Sequence, residues 1–247
     1  MTAPEHFHET DPTGLQTLER FAAATHFNRW LFDTVRPHCK GHVLEAGSGI
    51  GNISRLLLEN KFRLTASDVR TDYCEVLQRQ FGNHPNLAGV EHLDLATPVL
   101  AQQYGHLLHQ FDTVIALNVV EHIEDDRKAI DNCIQLLKPG GHLVILVPAF
   151  QSLYNSFDVE LGHYRRYTRR SLRALEEDAG LTVVHQQFFN AVGIIGWFID
   201  GSILRKRLIP RKQLLLFDKL LPIIKLADIL SFHSIGLSTI AVGRKPI

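Results

Sequence analysis

A chain of 247 residues with 45% hydrophobic content is long enough to bury one sizeable α/β core. Its 26 basic and 26 acidic residues cancel, which excludes a protein built around a field that attracts nucleic acid. Cys39, Cys74 and Cys133 show no metal or redox spacing, and the polar start MTAPEHFHETDPTG lacks a signal peptide's apolar region, so a cytoplasmic setting is expected.

Residues 1 to about 13 read as a loose arm. Apolar positions Leu15, Leu18, Phe21, Ala22, Trp30, Leu31 and Val35 then predict one or two amphipathic helices, making 1–40 an arm and helical cap. Pro37 and Gly41 close that region before a strand at 42–46. A helix (52–60), a strand (63–69), a helix (71–81) ended by Gly82 and a strand (89–95) follow. Next come a helix around 98–109, a strand (112–120), a helix (125–137) stopped by Pro139-Gly140-Gly141, and a strand (142–148). A polar, aromatic loop (149–167) leads to a helix (169–179) with Thr168 as N-cap, then to a strand (181–189). The last strand is expected at 236–245. Short β-branched runs alternating with helical stretches predict an α/β fold: a doubly wound, mostly parallel sheet of seven strands, built from 41–189 plus 236–247.

Residues 190–235 interrupt this alternation. They are rich in Leu, Ile and Phe and carry Arg205, Lys206, Arg207, Arg211, Lys212, Lys219 and Lys225. A connection this long and apolar is expected to fold as a helical lid, with Pro222 splitting 214–232 into two short helices. Three uses compete: a lid over an apolar substrate, a peripheral membrane or lipid-like contact surface, and a core or dimer interface. Monomer and homodimer both remain open.

The chemistry starts at VLEAGSGIGN (43–52), a strand end running into glycines at alternate positions, Gly47, Gly49 and Gly51, before a helix. Glycine lets a ligand approach the backbone, and the helix start offers unpaired N–H groups. Dinucleotide binders place a third glycine where this chain has Asn52. Glu45 would also sit awkwardly beside a pyrophosphate and suits a cationic ligand better.

From Val43 the chain resembles the first motif of class I S-adenosylmethionine-dependent methyltransferases, E-x-G-x-G-x-G. Asp68 at the end of the second strand, Asp94-Leu95 at the end of the third and LLKPGGHLVILVP (136–148) are similar to that family in the same order. The resemblance spans about 40–185 and the last strand. It implies the Rossmann-like methyltransferase fold, S-adenosylmethionine as cofactor and S-adenosylhomocysteine as product. Glu45, Gly47, Ser48, Gly49, Gly51 and Asn52 would then form the cradle. Asp68 with Val69 would meet the ribose hydroxyls, Asp94 with Leu95 the adenine, and the backbone of Asn118 and Val119 the methionine end.

NVVEHIED (118–125) is similar to the Glu-His pair of ubiquinone-pathway O-methyltransferases, whose further metal-binding acid is replaced here by Asn118. No metal is expected. His122 is the candidate general base, set against a histidine that only packs. In HYRRY (163–167), His163 is a second catalytic candidate, while Tyr164, Arg165 and Tyr167 are candidates to hold an acidic or polar substrate head. The competing assignment pairs Arg165 and Arg166 with Asp158 and Glu160. Trp197, with Phe188 and Phe189, is expected to wall a substrate pocket, and Arg29 is an electrostatic candidate for the methionine carboxylate.

The expected activity is methyl transfer to a hydroxyl or carboxylate oxygen of a small, partly apolar molecule. N-methylation of an amine or peptide terminus is the first alternative, and a non-catalytic cofactor-binding module the second. An NAD-dependent oxidoreductase is disfavoured by Asn52. No nucleic-acid partner is expected.

Overall fold

The computed structural model describes residues 12–247, so most of the expected arm lies outside the described residues. Helices α1 (Pro12–Ala22) and α2 (Thr25–Val35) lead into β1 (His42–Ala46), α3 (Ser54–Glu59), β2 (Arg63–Asp68), α4 (Thr71–Phe81) and β3 (Leu87–His92). A short α5 (Leu100–Gln103) precedes β4 (Phe111–Leu117), α6 (Asp126–Leu136) and β5 (Leu137–Pro148). Then follow α7 (Ser156–Leu161), α8 (Arg169–Asp178), β6 (Thr182–Phe189), α9 (Gly193–Trp197), α10 (Arg211–Lys219), α11 (Leu221–Leu230) and β7 (Ser238–Arg244).

The seven strands form one sheet in the order β3-β2-β1-β4-β5-β7-β6. All neighbours are parallel except β7, which runs antiparallel to both β5 and β6. Adjacent residues serve opposite faces: Leu44 and Val114 join one apolar cluster, Val43 and Ile115 the other. Because helices cover both faces, the central strands read as continuous apolar runs rather than alternating ones. The strand order reverses between β1 and β4, and their carboxyl ends therefore open the crevice in which doubly wound sheets bind ligands.

Several boundaries differ from the expected ones for local reasons. The third strand ends at His92, leaving Asp94 two residues beyond it. The helix expected over 98–109 shrinks to α5 and a 3₁₀ turn at 105–107. The fourth strand stops at Leu117 because Asn118 takes φ +56, a left-handed turn that asparagine tolerates. The loop after β5 contains α7, opened by a reciprocal Asn155–Asp158 capping box and closed by Gly162 at φ +72. The Thr168 cap is found as expected, also in a capping box, with Ser171. The two short helices expected around Pro222 are found, as α10 and α11. The chain breaks at Leu220, and the proline sits in the first turn of α11, where its missing N–H is no loss.

The 190–235 segment is fastened to the core by buried aspartates. Asp218 of α10 accepts the Phe27 N–H at 2.7 Å and the His26 N–H at 3.4 Å, capping an α2 that has no side-chain cap of its own. Asp228 of α11 accepts the N–H groups of Asn190 and Ala191, both at 2.7 Å. Phe189 packs its ring 4.2 Å from that of Trp30, within the core rather than on a pocket wall.

Candidate active site

At the end of β1 the chain turns through Gly47, Gly49 and Gly51, all at positive φ (+72, +54 and +88). Their missing side chains serve different neighbours. A Cβ on Gly47 would lie 2.4 Å from Val119 Cγ2, so this glycine lets the turn after β4 fold over the turn after β1. A Cβ on Gly49 would lie 3.0 Å from Leu18 of α1. Gly51 corrects the expectation of ligand approach: its bare face is filled by the Phe81 ring, 2.4 Å from the Cβ position. Asn52 donates its side-chain amide to the Leu18 carbonyl at 3.1 Å, which ties α1 across the turn.

Asp68 is buried at the end of β2, and its two carboxylate oxygens accept the N–H groups of Gly49 (2.8 Å) and Arg70 (3.0 Å). Each oxygen keeps a further lone pair for a ligand hydroxyl. Ser48 donates to the Glu45 carbonyl and accepts the Ser67 N–H, stitching β1 to β2. Glu45 lies buried beneath the turn and accepts a hydrogen bond from Ser54. Burial pushes its carboxyl up to about 7. Val69 follows Asp68 and is partly exposed. Asp94 accepts the Ala96 N–H at 2.8 Å with one oxygen, whereas the Leu95 side chain is core and its carbonyl accepts the buried Asn132 side-chain amide at 2.8 Å. Arg29 stands elsewhere, within 3.4 Å of Glu59 on an exposed face, which removes it from the methionine end.

The turn after β4 and the loop after β5 converge. Tyr164 donates its N–H to the Glu121 carbonyl at 2.9 Å, and Tyr167 bridges to Ala149. This brings together Glu121, His122, Asp158, His163 and Arg166. Asp158 holds His163 Nδ1 at 2.8 Å and Arg166 Nε at 2.8 Å with one oxygen, and accepts the Asn155 N–H with the other. His163 therefore turns Nε2 toward Glu121 Oε1, 4.0 Å away. The His122 ring meets the His163 ring edge-on at 4.6 Å between centroids and hydrogen-bonds the Leu161 backbone.

Both Glu121 oxygens and Arg166 Nη2 are buried without a hydrogen-bond partner. Burial raises the Glu121 carboxyl to about 7, against the opposing attraction of His163. Burial and the neighbouring His163 push His122 down to about 3, so it is a neutral imidazole at physiological pH. Glu121, His122 and His163 each offer one ligating atom within 4.8 Å of the others, the one such cluster among the described residues.

Other expected substrate contacts are corrected. Arg165 spends its guanidinium on the Asp126 carboxylate (2.8 Å) and the Glu124 carbonyl (2.6 Å), leaving no fork for a substrate anion. Tyr167 is buried in the core and donates to Asp126 at 2.8 Å. Tyr164 stays exposed under the Arg165 guanidinium. Trp197 donates to the Leu153 carbonyl and packs on Phe157 and Arg166, on the wall of an apolar crevice shared with Phe21, Leu161 and Leu214. The sequence offered Glu121 in its Glu-His pair and Asp158 as a partner for Arg166, a pairing found at 2.8 Å, but not that both gather around His163. The signal was available in Asp158 lying five residues before His163, but only the α7 turn makes that spacing a contact.

Comparison with known proteins agrees with this geometry. Residues 16–186 match a family model described as a methyltransferase domain. The reducing polyketide synthase ppsB of Aspergillus oryzae is 33% identical over 109 residues, which cover 42% of this chain but 4% of that much longer protein. A SAM-dependent methyltransferase from Archaeoglobus fulgidus superposes with TM-score 0.57 at 19% identity, covering 88% of this chain and 94% of its own. The CurJ carbon methyltransferase superposes with TM-score 0.56 at 17% identity, over 91% of this chain and 54% of its own. No helix among the described residues is long and apolar enough to cross a membrane. With the glycine turn at β1, Asp68 at β2 and the reversal between β1 and β4, these matches establish that the chain belongs to the methyltransferase domain family, in its class I, S-adenosylmethionine-dependent form.

Proposed function

We propose that this protein methylates a hydroxyl oxygen on a small, partly apolar molecule, with the Glu121–His122–His163 cluster taking up the proton that the hydroxyl loses. Bound S-adenosylmethionine supplies an electrophilic methyl on a sulfonium. The glycine turn, Asp68 and Asp94 would hold it at the ends of β1, β2 and β3, with the Asn118–Val119 backbone closing over Gly47. Transfer is an in-line displacement, and orientation alone lowers its barrier substantially. A carboxylate acceptor needs no base, whereas a hydroxyl does.

One observation carries the choice of hydroxyl. A buried carboxylate with both oxygens unpaired stands beside a neutral, partly exposed imidazole at the end of β4. Burying an unpaired charge is costly, and a proton from the acceptor would relieve it. Asp158 holds His163 by Nδ1, which leaves Nε2 facing Glu121 at 4.0 Å, the nearest cationic partner the carboxylate could gain on protonation of the ring. The crevice walled by Phe21, Leu161, Trp197 and Leu214 is apolar, which supports an acceptor that is partly apolar.

A carbon acid, which must also lose a proton, is the second reading. It is favoured by the same orphaned carboxylate together with the similarity to the CurJ carbon methyltransferase. Product analysis with phenol, alcohol, carboxylic acid, amine and β-keto ester acceptors separates these classes. His122→Ala is expected to lower turnover roughly a hundredfold or more while S-adenosylhomocysteine still binds in calorimetry. Turnover at the wild-type rate in that variant would sink the proton-uptake role. Activity should survive chelation by EDTA; loss on chelation and recovery with a divalent cation would reassign the three side chains to metal ligation.

A further inference from the structure

The outer surface of the 190–235 segment combines two properties that no part of the methyl-transfer site uses. Fourteen of the twenty large hydrophobic residues exposed among the described residues fall within these 46 positions. In α11, Leu221, Ile224 and Asp228 point inward at i, i+3 and i+7, while Ile223, Leu226 and Leu230 form the opposite stripe, 71%, 50% and 69% exposed. A helix apolar on both sides is expected inside a core or against a second apolar phase. Ile203, Leu216 and Phe232 extend the exposed surface beyond α11.

Charge is sorted as sharply. The segment contains three acids, Asp200, Asp218 and Asp228, and all are buried: Asp200 pairs with Lys206, while Asp218 and Asp228 accept backbone N–H groups. The exposed charges are Arg205, Arg207, Arg211, Lys212 and Lys219. What faces outward is therefore apolar or cationic, with no exposed acid of the segment beside it. That combination complements an anionic lipid surface, into which apolar side chains insert while Lys and Arg meet the headgroups. A two-fold self-dimer through the same patch would set these cations against their own copies. The helices are too short to cross a bilayer, so they would lie on it.

We propose that the outer face of α10, α11 and the turns flanking them docks the protein on an anionic membrane surface. This is independent of the acceptor chemistry proposed above and is tested without turnover. The purified full chain is sedimented with vesicles of phosphatidylcholine alone and of phosphatidylcholine containing one-third phosphatidylglycerol. Co-sedimentation is expected with the anionic vesicles, weakening at high salt and falling about tenfold in the Arg211→Glu/Lys212→Glu variant. Ile223→Ser, which changes only the exposed stripe, should weaken binding while leaving the thermal melt in place. Absence of co-sedimentation with anionic vesicles overturns the proposal. So does undiminished binding by the charge-reversed variant, or light scattering that shows a stable dimer burying Ile223.

Discussion

Asp68 condenses the logic of the cofactor seat into one side chain. Its carboxylate accepts the backbone N–H groups of Gly49 in the glycine turn and of Arg70 at the start of α4, which fixes the turn before any ligand arrives. Asp68→Ala is therefore expected to weaken S-adenosylhomocysteine binding by tenfold or more in calorimetry, since a hydrogen bond to a charged group contributes about 1.5–3 kcal/mol. Binding at the wild-type affinity would show that Asp68 is only a strut. The same residues show what a sequence can and cannot convey. Alternating glycines announce a backbone that needs positive φ, but not that Gly51 is emptied for Phe81 thirty positions later, a contact made only when α4 packs on the turn. Arg165 and Tyr167 carried the right chemistry for an anion site. Their partner Asp126 comes from another element, and that pairing consumed both.

Elements were legible in proportion to their length and to how completely they are buried. The strands of the central sheet, apolar on both faces, declared themselves; α7, of six residues, is too short to display a helical period, and of the helix expected over 98–109 only the four residues of α5 form one. Helix α8 follows from its Thr168 cap, as expected, yet nothing in the sequence marks out its most consequential residue. Glu176 is buried against Leu181 and Gly243, with neither oxygen hydrogen-bonded. Burial, assisted by Glu177, raises its carboxyl to about 8. The folded protein then keeps that proton up to about pH 8, whereas the unfolded chain releases it near its ordinary value of 4.5. Across that interval the folded state binds more protons, so stability falls as pH rises, by as much as about 1.4 kcal/mol per pH unit. Glu176→Gln removes this liability without changing shape. Its melting temperature should match the wild type near pH 4 and exceed it increasingly up to pH 8. A gain that does not grow with pH would show that Glu176 is not held protonated.

At the scale of the whole molecule, the segment between β6 and β7 is tied to the core by its buried aspartates, and Asp218 shows how. Helix α2 starts at Thr25 after Ala24, which cannot cap it, so its first N–H groups depend on a carboxylate supplied from α10. That carboxylate also meets the positive end of the α2 dipole and His26 Nδ1 at 2.9 Å. Sequence alone could not reveal this, because donor and acceptor lie 191 residues apart and α2 shows no capping signal of its own. The consequence is coupling: α1 rests on Gly49 and Asn52, α2 follows it, and α10 holds α2, so the cover of the cofactor turn and the apolar outer surface share one anchor. Asp218→Ala should cost about 1–2 kcal/mol of stability, the usual loss for a removed helix cap. Hydrogen exchange should quicken at the amides of His26 and Phe27 and along α10, while those of the β1–β4 ladder stay protected. Exchange confined to α10 would mean that the segment moves alone and that the cofactor cover does not depend on it.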